Sequence, residues 1–409
     1  MRPLEDVRAH VLSTVGRLET EQIDFRDGLW RVLAEPVVAT ENVPPFANSA
    51  MDGFAVQGAD VEDAGAELLI LEDVAAGQVA GSKVSSGDAI RIMTGAPMPD
   101  GADTVVRVED TAAEDGKVSV SVSVPGGTYV RPAGGDVAAG QKVFDAGVRM
   151  GPMHVGVLAT LGQVAPVVSR RPKVAIMSTG DELQPPETRD LGPGMIRDSN
   201  RPMLRSILQA VGVDILDIGT IPDDADALRA ALGRAAVESD LIVTTGGVSM
   251  GDYDVTKAVL EDDTGVEFIS VAMKPGKPFA FGQLGGTPFF GLPGNPVSVM
   301  VSFEQFVRPA LLSMQGAVRV LRPQVLGIAG ENLLTDPEKT VFLRVETSYR
   351  DSQLVATPTG SQASNVLSGA AAADAFAVVP RGVADIEEGR PVILELFRAL
   401  ETRKVDDAI

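Results

Sequence analysis

The chain reads as a multidomain α/β and β protein with a doubly wound α/β domain at its centre, and three stretches point to this. Residues 174–179 (VAIMST), 241–245 (LIVTT) and 289–292 (FFGL) are short runs rich in β-branched or aromatic side chains. Their apolar character without alternation suits strands covered on both faces, as in a parallel sheet. Each run ends in glycine and polar residues: Gly180-Asp181-Glu182, then Gly246-Gly247 followed by Ser249, Asp252 and Asp254, then Pro293-Gly294-Asn295-Pro296. Ligands of doubly wound folds bind where the carboxyl ends of the strands line up. Three polar strand ends are therefore expected to converge on one site, with the bare N–H groups of the double glycine facing an anion, a metal, or both.

The other elements follow in order. Leu4, Val7 and Val11 recur at helical spacing, and Leu29, Trp30, Val32 and Leu33 suggest a second helix ending near Pro36. Residues 43–46 (VPPF) are held extended by their prolines. Residues 47–140 carry short strand-like runs at 67–71, 89–93, 104–108 and 117–124, separated by turns, and read as a β-rich domain. Gly151-Pro152 opens a helix with Val155, Leu158 and Leu161. The β-rich domain thus looks inserted into an elongated helical domain made of residues 1–46 plus 141–170. Residues 171–318 alternate strand and helix, with Leu204, Ile207, Leu208 and Val211 forming the stripe of a helix packed on a sheet. Gly285-Gly286 marks a two-residue hairpin turn in this domain. Residues 319–409 return to strands, as a C-terminal β domain.

Composition narrows the chemistry. The chain has no cysteine and two histidines, His10 and His154, each inside a helical pattern. Thiolate chemistry is excluded, a histidine-based triad or zinc site is disfavoured, and the many carboxylates suit a hard, oxygen-ligated cation such as Mg²⁺. A net charge of −21 argues against nucleic acid as a partner. A small anion remains compatible with it, because lysines in direct contact outweigh a field screened beyond about 8 Å. The opening MRPLEDVRAH is not a secretory segment, and no apolar run reaches membrane-spanning length, so a cytoplasmic location with no membrane partner is expected.

Lys274-Pro275-Gly276-Lys277-Pro278 places two cations on a turn stiffened by proline, which suits an oxyanion. It is not a P-loop, since Pro278 stands where a Ser or Thr would hold Mg²⁺. Together with SAMDGFAV (49–56), IMTGAPMPDGAD (92–103), STGDEL (178–183), DSN (198–200), TTGGVSMGDYD (244–254), KPGKPFAFG (274–282) and GLPGNPVS (291–298), this turn resembles the bacterial molybdopterin molybdenumtransferases, the MoeA family, related to the gephyrin E domain. The match runs in order along nearly the whole chain.

The resemblance implies a homodimer of elongated four-domain subunits whose α/β domain is of the molybdopterin-binding type. It implies an enzyme that takes adenylylated molybdopterin and molybdate, needs Mg²⁺, releases AMP and yields molybdenum cofactor. Carried over by motif, Lys274, Lys277, Pro278, Ser249 and Ser298 line the molybdate and phosphate site, with Arg344 and Ser364 as fainter matches. Asp52, Thr94, Asp136, Glu182, Asp224 and Asp254 match functional polar positions, of which Glu182, Asp224 and Asp254 are the Mg²⁺ candidates. Gly246, Gly247, Pro293, Asn295 and Pro296 complete the substrate-binding set. Gly135 departs from the family, which usually has a glutamate there, and weakens the case for Asp136. Asp52 and Thr94 fall in the inserted domain and the lysines in the α/β domain, so a composite site shared between two subunits is expected. A molybdopterin adenylyltransferase and cofactor-accepting molybdoenzymes are further partners in view. The alternatives are an adenylyltransferase, which would need only the α/β domain, and a non-catalytic scaffold like gephyrin.

Overall fold

The structure, a computed structural model, describes residues 1–248, 255–261, 265–350 and 352–398. Helix α1 (Leu4–Thr14) buries Leu4, Val7 and Val11, the stripe that its sequence spacing predicts. That stripe packs into the core of the α/β region, against Phe281, Phe303 and Phe306. Within residues 1–46, α1 thus packs on the α/β region, whereas the chain from Thr20 onward packs with 141–170: Thr20–Gln22 pairs antiparallel with Val167–Ser169 and Val37–Val38 with Lys142–Phe144, and Leu33, Val37 and Ala39 share a core with Leu158 and Val168.

The helix expected over residues 29–33 is not formed. A single 3-10 turn (Phe25–Asp27) ends at Gly28, Trp30 takes a φ of 64°, and Val32 and Leu33 bridge Arg149 and Val168 as antiparallel partners. Their spacing imitated a helical stripe, but Val32 packs with Leu312 and Ala317 whereas Leu33 packs with Leu158 and Val168. Consecutive residues facing different cores require extended backbone, not helix. The segment expected to be helical accordingly contains one helix of its own, α2 (Pro152–Thr160), beside short strand pairs. His154 of α2 acts as an ordinary cap, its Nδ1 accepting the Gly151 N–H at 3.1 Å, and His10 of α1 packs edge-on against Phe281.

The inserted segment forms a six-stranded sheet from β1 (Gly53–Val56), β2 (Glu67–Val74), β3 (Asp88–Ile92), β4 (Thr104–Arg107), β5 (Thr111–Glu114) and β6 (Lys117–Val120), in the order β4-β1-β3-β2-β6-β5. Alternation along its strands fills two cores: Phe54, Val106 and Val118 on one face, Ala55, Ile90 and Val105 on the other.

The central sheet contains β7 (Lys173–Thr179), β8 (Asp214–Ile221), β9 (Leu241–Thr245), β10 (Glu267–Ser270), β11 (Pro278–Leu284) and β12 (Thr287–Leu292), ordered β8-β7-β9-β12-β11-β10. The first four are mutually parallel, and β11 and β10 extend the sheet antiparallel. One face carries α1, α3 (Asn200–Val211), α6 (Pro296–Ser302) and α7 (Arg308–Met314); the other carries α4 (Ala225–Glu238) and α5 (Val255–Glu261). This is the doubly wound arrangement that the unalternating strands predict. Gly285 and Gly286 turn the β11–β12 hairpin with φ of 59° and 91°, which only a primed turn requires.

The C-terminal strands, β13 (Gln324–Ala329), β14 (Thr340–Arg350), β15 (Gln353–Pro358), β16 (Ala375–Val379) and β17 (Pro391–Leu396), run in the order β14-β15-β13-β17-β16. Pairing of β16 back onto β14 closes them into a barrel. Met273–Lys274, from the central region, adds to β14 as a parallel edge at Thr340 and Val341. The barrel thereby grips one end of the lysine-bearing turn. No helix among the described residues is long and apolar enough to cross a membrane.

Candidate active site

The carboxyl ends of β7, β9 and β12 open into one cavity of about 820 Å³, lined among others by Gly180, Gly246, Gly247, Pro293, Asn295 and Pro296. The double glycine is obligatory here. Gly246 and Gly247 have φ of 90° and 66°, and a Cβ would stand 2.7 Å from the Thr179 carbonyl oxygen at the first and 2.0 Å from Thr256 Oγ1 at the second. The backbone is thus packed against two neighbouring elements while its other side borders the cavity.

Asn200 ties the β9 and β12 loops together. Its Nδ2 donates to Thr245 Oγ1 at 2.9 Å and to the Gly294 carbonyl at 2.6 Å, and Thr245 Oγ1 donates to the Pro293 carbonyl at 3.1 Å. Because the Gly294 oxygen can only accept, the amide orientation is settled and Oδ1 is left buried without a partner among the described residues. Asp198, buried at 2% exposure, underpins this by accepting from Ser178 Oγ at 2.6 Å, Arg201 Nε at 3.2 Å and the Asn200 and Arg201 N–H groups at 3.1 Å.

The lysine turn closes the far side. Gly276 has a φ of 97°, and a Cβ there would meet Met273 Cε at 2.6 Å and Ser302 Oγ at 2.9 Å. Val271 N–H donates to the Lys277 carbonyl at 2.8 Å, so the turn is closed on itself with both lysines exposed. Pro278 borders the main cavity, and Lys274 and Pro275 border a second one of about 460 Å³ toward the barrel. The barrel loop 359–366 lies between the two: Asn365 faces the first cavity, Gln362 and Ala363 the second.

Three family descriptions match the chain in order: the MoeA N-terminal region (domain I and II) over residues 2–162, a probable molybdopterin binding domain over 175–313, and the MoeA C-terminal region (domain IV) over 327–397. A Haemophilus influenzae protein named molybdopterin molybdenumtransferase is 35% identical over 404 residues, covering 98% of this chain and 100% of the relative. The chain belongs to the MoeA family. A Bacillus subtilis protein of the same name is 35% identical, covering 97% of this chain and 94% of that one. A crystal structure described as the molybdopterin biosynthesis MoeA protein of Pyrococcus horikoshii superposes with a TM-score of 0.85 at 28% identity, covering 97% of this chain and 100% of the other. The MoeA resemblance read from the motifs and the multidomain fold both hold.

Within one MoeA chain, the residues singled out from sequence divide into groups. Glu182, Gly246, Gly247, Pro278, Pro293, Asn295 and Pro296 border the main cavity. Ser298 is buried on α6, its carbonyl 3.6 Å from where a Gly276 Cβ would lie, so it packs beneath the lysine turn. Ser249 and Asp254, with Asp252, lie outside the described residues. Asp224 caps α4, accepting the Ala227 N–H at 2.8 Å.

Arg344 differs from its expected role as a ligand contact. At 1% exposure, its guanidinium donates to Gln362 Oε1 at 3.3 Å and to the carbonyls of Ser361, Ala363 and Val366 at 2.8, 3.2 and 2.9 Å. Burial lowers its pKa, and its donors hold the barrel loop instead of facing the cavity. Ser364 anchors the same loop through its carbonyl, which accepts the Val297 N–H at 3.0 Å. An arginine in a strand carries no sequence signal separating these two uses.

Asp52, Thr94 and Asp136 do not border the main cavity of their own chain. Asp52 Oδ1 accepts both the N–H and the hydroxyl of Thr94 at 2.7 Å, and these bonds hold the exposed carboxyl below the usual aspartate range. Asp136 is exposed, and its N–H donates to the Val43 carbonyl at 3.0 Å. Among the described residues, no cluster of three or more acidic or histidine side chains is poised to hold a metal. Asp198, Asn200, Asp223 and Asn365 border the cavity without having been assigned from sequence. For the first two, the DSN motif at a helix start was the available signal.

Proposed function

We propose that this chain completes molybdenum cofactor by binding adenylylated molybdopterin along the main cavity, releasing AMP and placing molybdate on the dithiolene sulfurs. The observation that carries this reading is the convergence of three polar strand ends on one cavity, with Pro278 of the lysine turn at its border and Lys274 at the second cavity, in a chain matched end to end by the MoeA family. The Gly246 N–H already donates to the Leu292 carbonyl at 3.1 Å, so the Gly247 N–H and the Lys277 ammonium are the groups suited to hold phosphate or molybdate oxygens, and charge-assisted donors of this kind act where negative charge grows during phosphoanhydride cleavage. Lys274, beside the second cavity, supplies a further cation, and Arg344 acts by positioning the loop that divides the cavities. Glu182 is a hard oxygen donor of the kind Mg²⁺ takes, since that ion combines one or two carboxylates with phosphate oxygens and water. When bound, Mg²⁺ would neutralise phosphate charge; Asp254 is the second candidate ligand, and Asp224 has one carboxylate oxygen engaged at its helix cap.

The protein works as a homodimer in this reading, and Asp52, Thr94 and Asp136 serve the cavity of the partner subunit. It acts in the cytoplasm without nucleic acid or membrane. An adenylyltransferase reading is less apt, because the inserted sheet and the barrel would have no part in it. Purified protein with adenylylated molybdopterin, molybdate and Mg²⁺ is expected to release AMP and to stop when the metal is chelated. No AMP release by the intact chain overturns the reading. Mixed refolding of separately inactive Asp52→Ala and Lys277→Ala chains tests the shared site: recovered turnover supports it, and mixed dimers without turnover exclude it.

A further inference from the structure

The main cavity has an apolar wall that neither the phosphate nor the molybdate explains. Leu183 and Ile196 are paired in register as a short parallel strand contact, and both border the cavity. Ile196 is 53% exposed, although Ile196 N–H donates to the Glu182 carbonyl at 2.8 Å and its backbone is fixed. Arg197 keeps this flap in place: its Nε donates to the Pro186 carbonyl at 3.2 Å, and its Nη2 to those of Thr188 and Arg189 at 2.5 and 3.1 Å. The result is a small apolar face with a hydrogen-bonded backbone, bordering the cavity beside polar groups, and covering it with an apolar ring is favourable.

The acceptor at this end is Asp223, which also borders the cavity. It is locked beside the flap by a reciprocal pair of bonds, Asp223 N–H to Asp181 Oδ1 at 3.0 Å and Asp181 N–H to Asp223 Oδ2 at 3.4 Å. From β7, which leads into the flap, to β11, which begins at Pro278, the sheet order counts three strand spacings, or roughly 14 Å at about 4.8 Å each. The wall and the lysine turn therefore stand at opposite ends of an elongated cavity.

We propose that Leu183 and Ile196 form the wall on which the pterin ring of the substrate lies, with Asp223 reading its 2-amino-4-oxo edge and the phosphoanhydride leading away past Glu182 toward the Gly246-Gly247 turn. This deepens the proposed function and rests on it. The pterin edge offers two adjacent N–H donors, the ring N–H and the 2-amino group, and a carboxylate accepts both at once. The amino edge of adenine pairs a donor with an acceptor, so a carboxylate meets only one favourable partner there. The same site thus distinguishes the two heterocycles of the substrate and sets the direction in which it binds.

The test uses the full-length protein with two separate probes, 6-hydroxymethylpterin phosphate followed by pterin fluorescence, and AMP followed by calorimetry. Ile196→Ser and Asp223→Asn are expected to weaken the pterin probe about tenfold each while AMP affinity stays within twofold, and Ile196→Val is expected to retain pterin binding. With adenylylated molybdopterin, both weakened variants should raise KM and keep kcat. Both side chains are exposed, so unchanged melting temperatures are expected to show that folding is intact. Unchanged pterin affinity in both variants overturns the wall, and selective loss of AMP affinity overturns it in favour of the purine. If the wild-type chain binds the pterin probe through these residues yet releases no AMP, the wall stands and the molybdenum-transfer reading fails.

Discussion

Two polar regions of this molecule contrast in how completely their groups are paired. At the junction of α1, the π-helical turn Phe303–Val307 and the barrel, Glu304 takes Arg322 in two bonds at 2.8 and 2.9 Å and lies 3.9 Å from Arg308. Gln305 beside it donates to Glu395 at 2.7 Å and accepts from Arg8. Burial, together with the nearby Arg322, lowers the Arg308 pKa to about 10, and burial raises that of Glu395. At the sheet edge, by contrast, Asn200 Oδ1 and Thr179 Oγ1 have no partner among the described residues, glycine backbone borders the main cavity and Lys274 the second. Buried charge paired within the chain serves packing, whereas incompletely paired groups around a cavity await something from outside. Richness in charge alone does not separate the two.

Substitutions in each region should break this contrast in different ways. The largest stability effect is expected for Glu304→Ala, which strands Arg322 and Arg308 without their acid at a cost of about 3–5 kcal/mol in chemical denaturation. Its surviving folded fraction should still release AMP at the normal rate. Lys277→Ala should do the reverse, leaving the melting temperature unchanged and raising the barrier by ~3 kcal/mol, roughly a hundredfold or more in AMP release. Turnover near wild type would remove Lys277 from the site.

Asn200→Ala lies between the two. Losing its two bonds should cost about 1–2 kcal/mol of stability, and the loosened loops should slow AMP release about tenfold. Separate stability and rate measurements that move in only one of these quantities would assign the brace to folding or to catalysis alone. The smallest effect concerns Glu395. Its folded pKa is raised above the ordinary 4.5, chiefly by burial, so the folded state holds its proton longer than the unfolded state as pH rises. Stability from this group is full below 4.5 and falls as pH climbs through the raised value. Glu395→Gln should lack that fall, so denaturation curves for the two proteins should diverge with rising pH through this window. Parallel pH profiles would exclude the proposed coupling.

Much of this was legible in the chain itself. The unalternating run Leu241–Thr245 had to be covered on both faces, and it forms the sheet interior between β7 and β12. Gly246-Gly247 and Gly285-Gly286 marked turns because their backbone demands positive φ, and all four adopt it. The order of the motifs identified the family. The misreading over residues 29–33 came from a short apolar spacing that fits a helical stripe as well as two adjacent residues facing separate cores, and only the partners Leu312 and Leu158 decide between them. The placement of α1 was equally hidden, because its stripe of Leu4, Val7 and Val11 states that one face is buried without stating against what.

By itself, then, the sequence determined the turns at its double glycines, the doubly wound class and the gathering of polar residues at strand ends, since these depend on periodicity, backbone sterics and residue chemistry acting over a few positions. Tertiary structure alone decided that Arg344 serves a loop, that Asn200 ties the β9 and β12 loops together, and that Met273–Lys274 is gripped by the barrel. Each of those roles is a contact between segments far apart in the chain, and the same side chain could have made a different one. Which of its chemically possible partners a group meets is fixed by packing over the whole molecule.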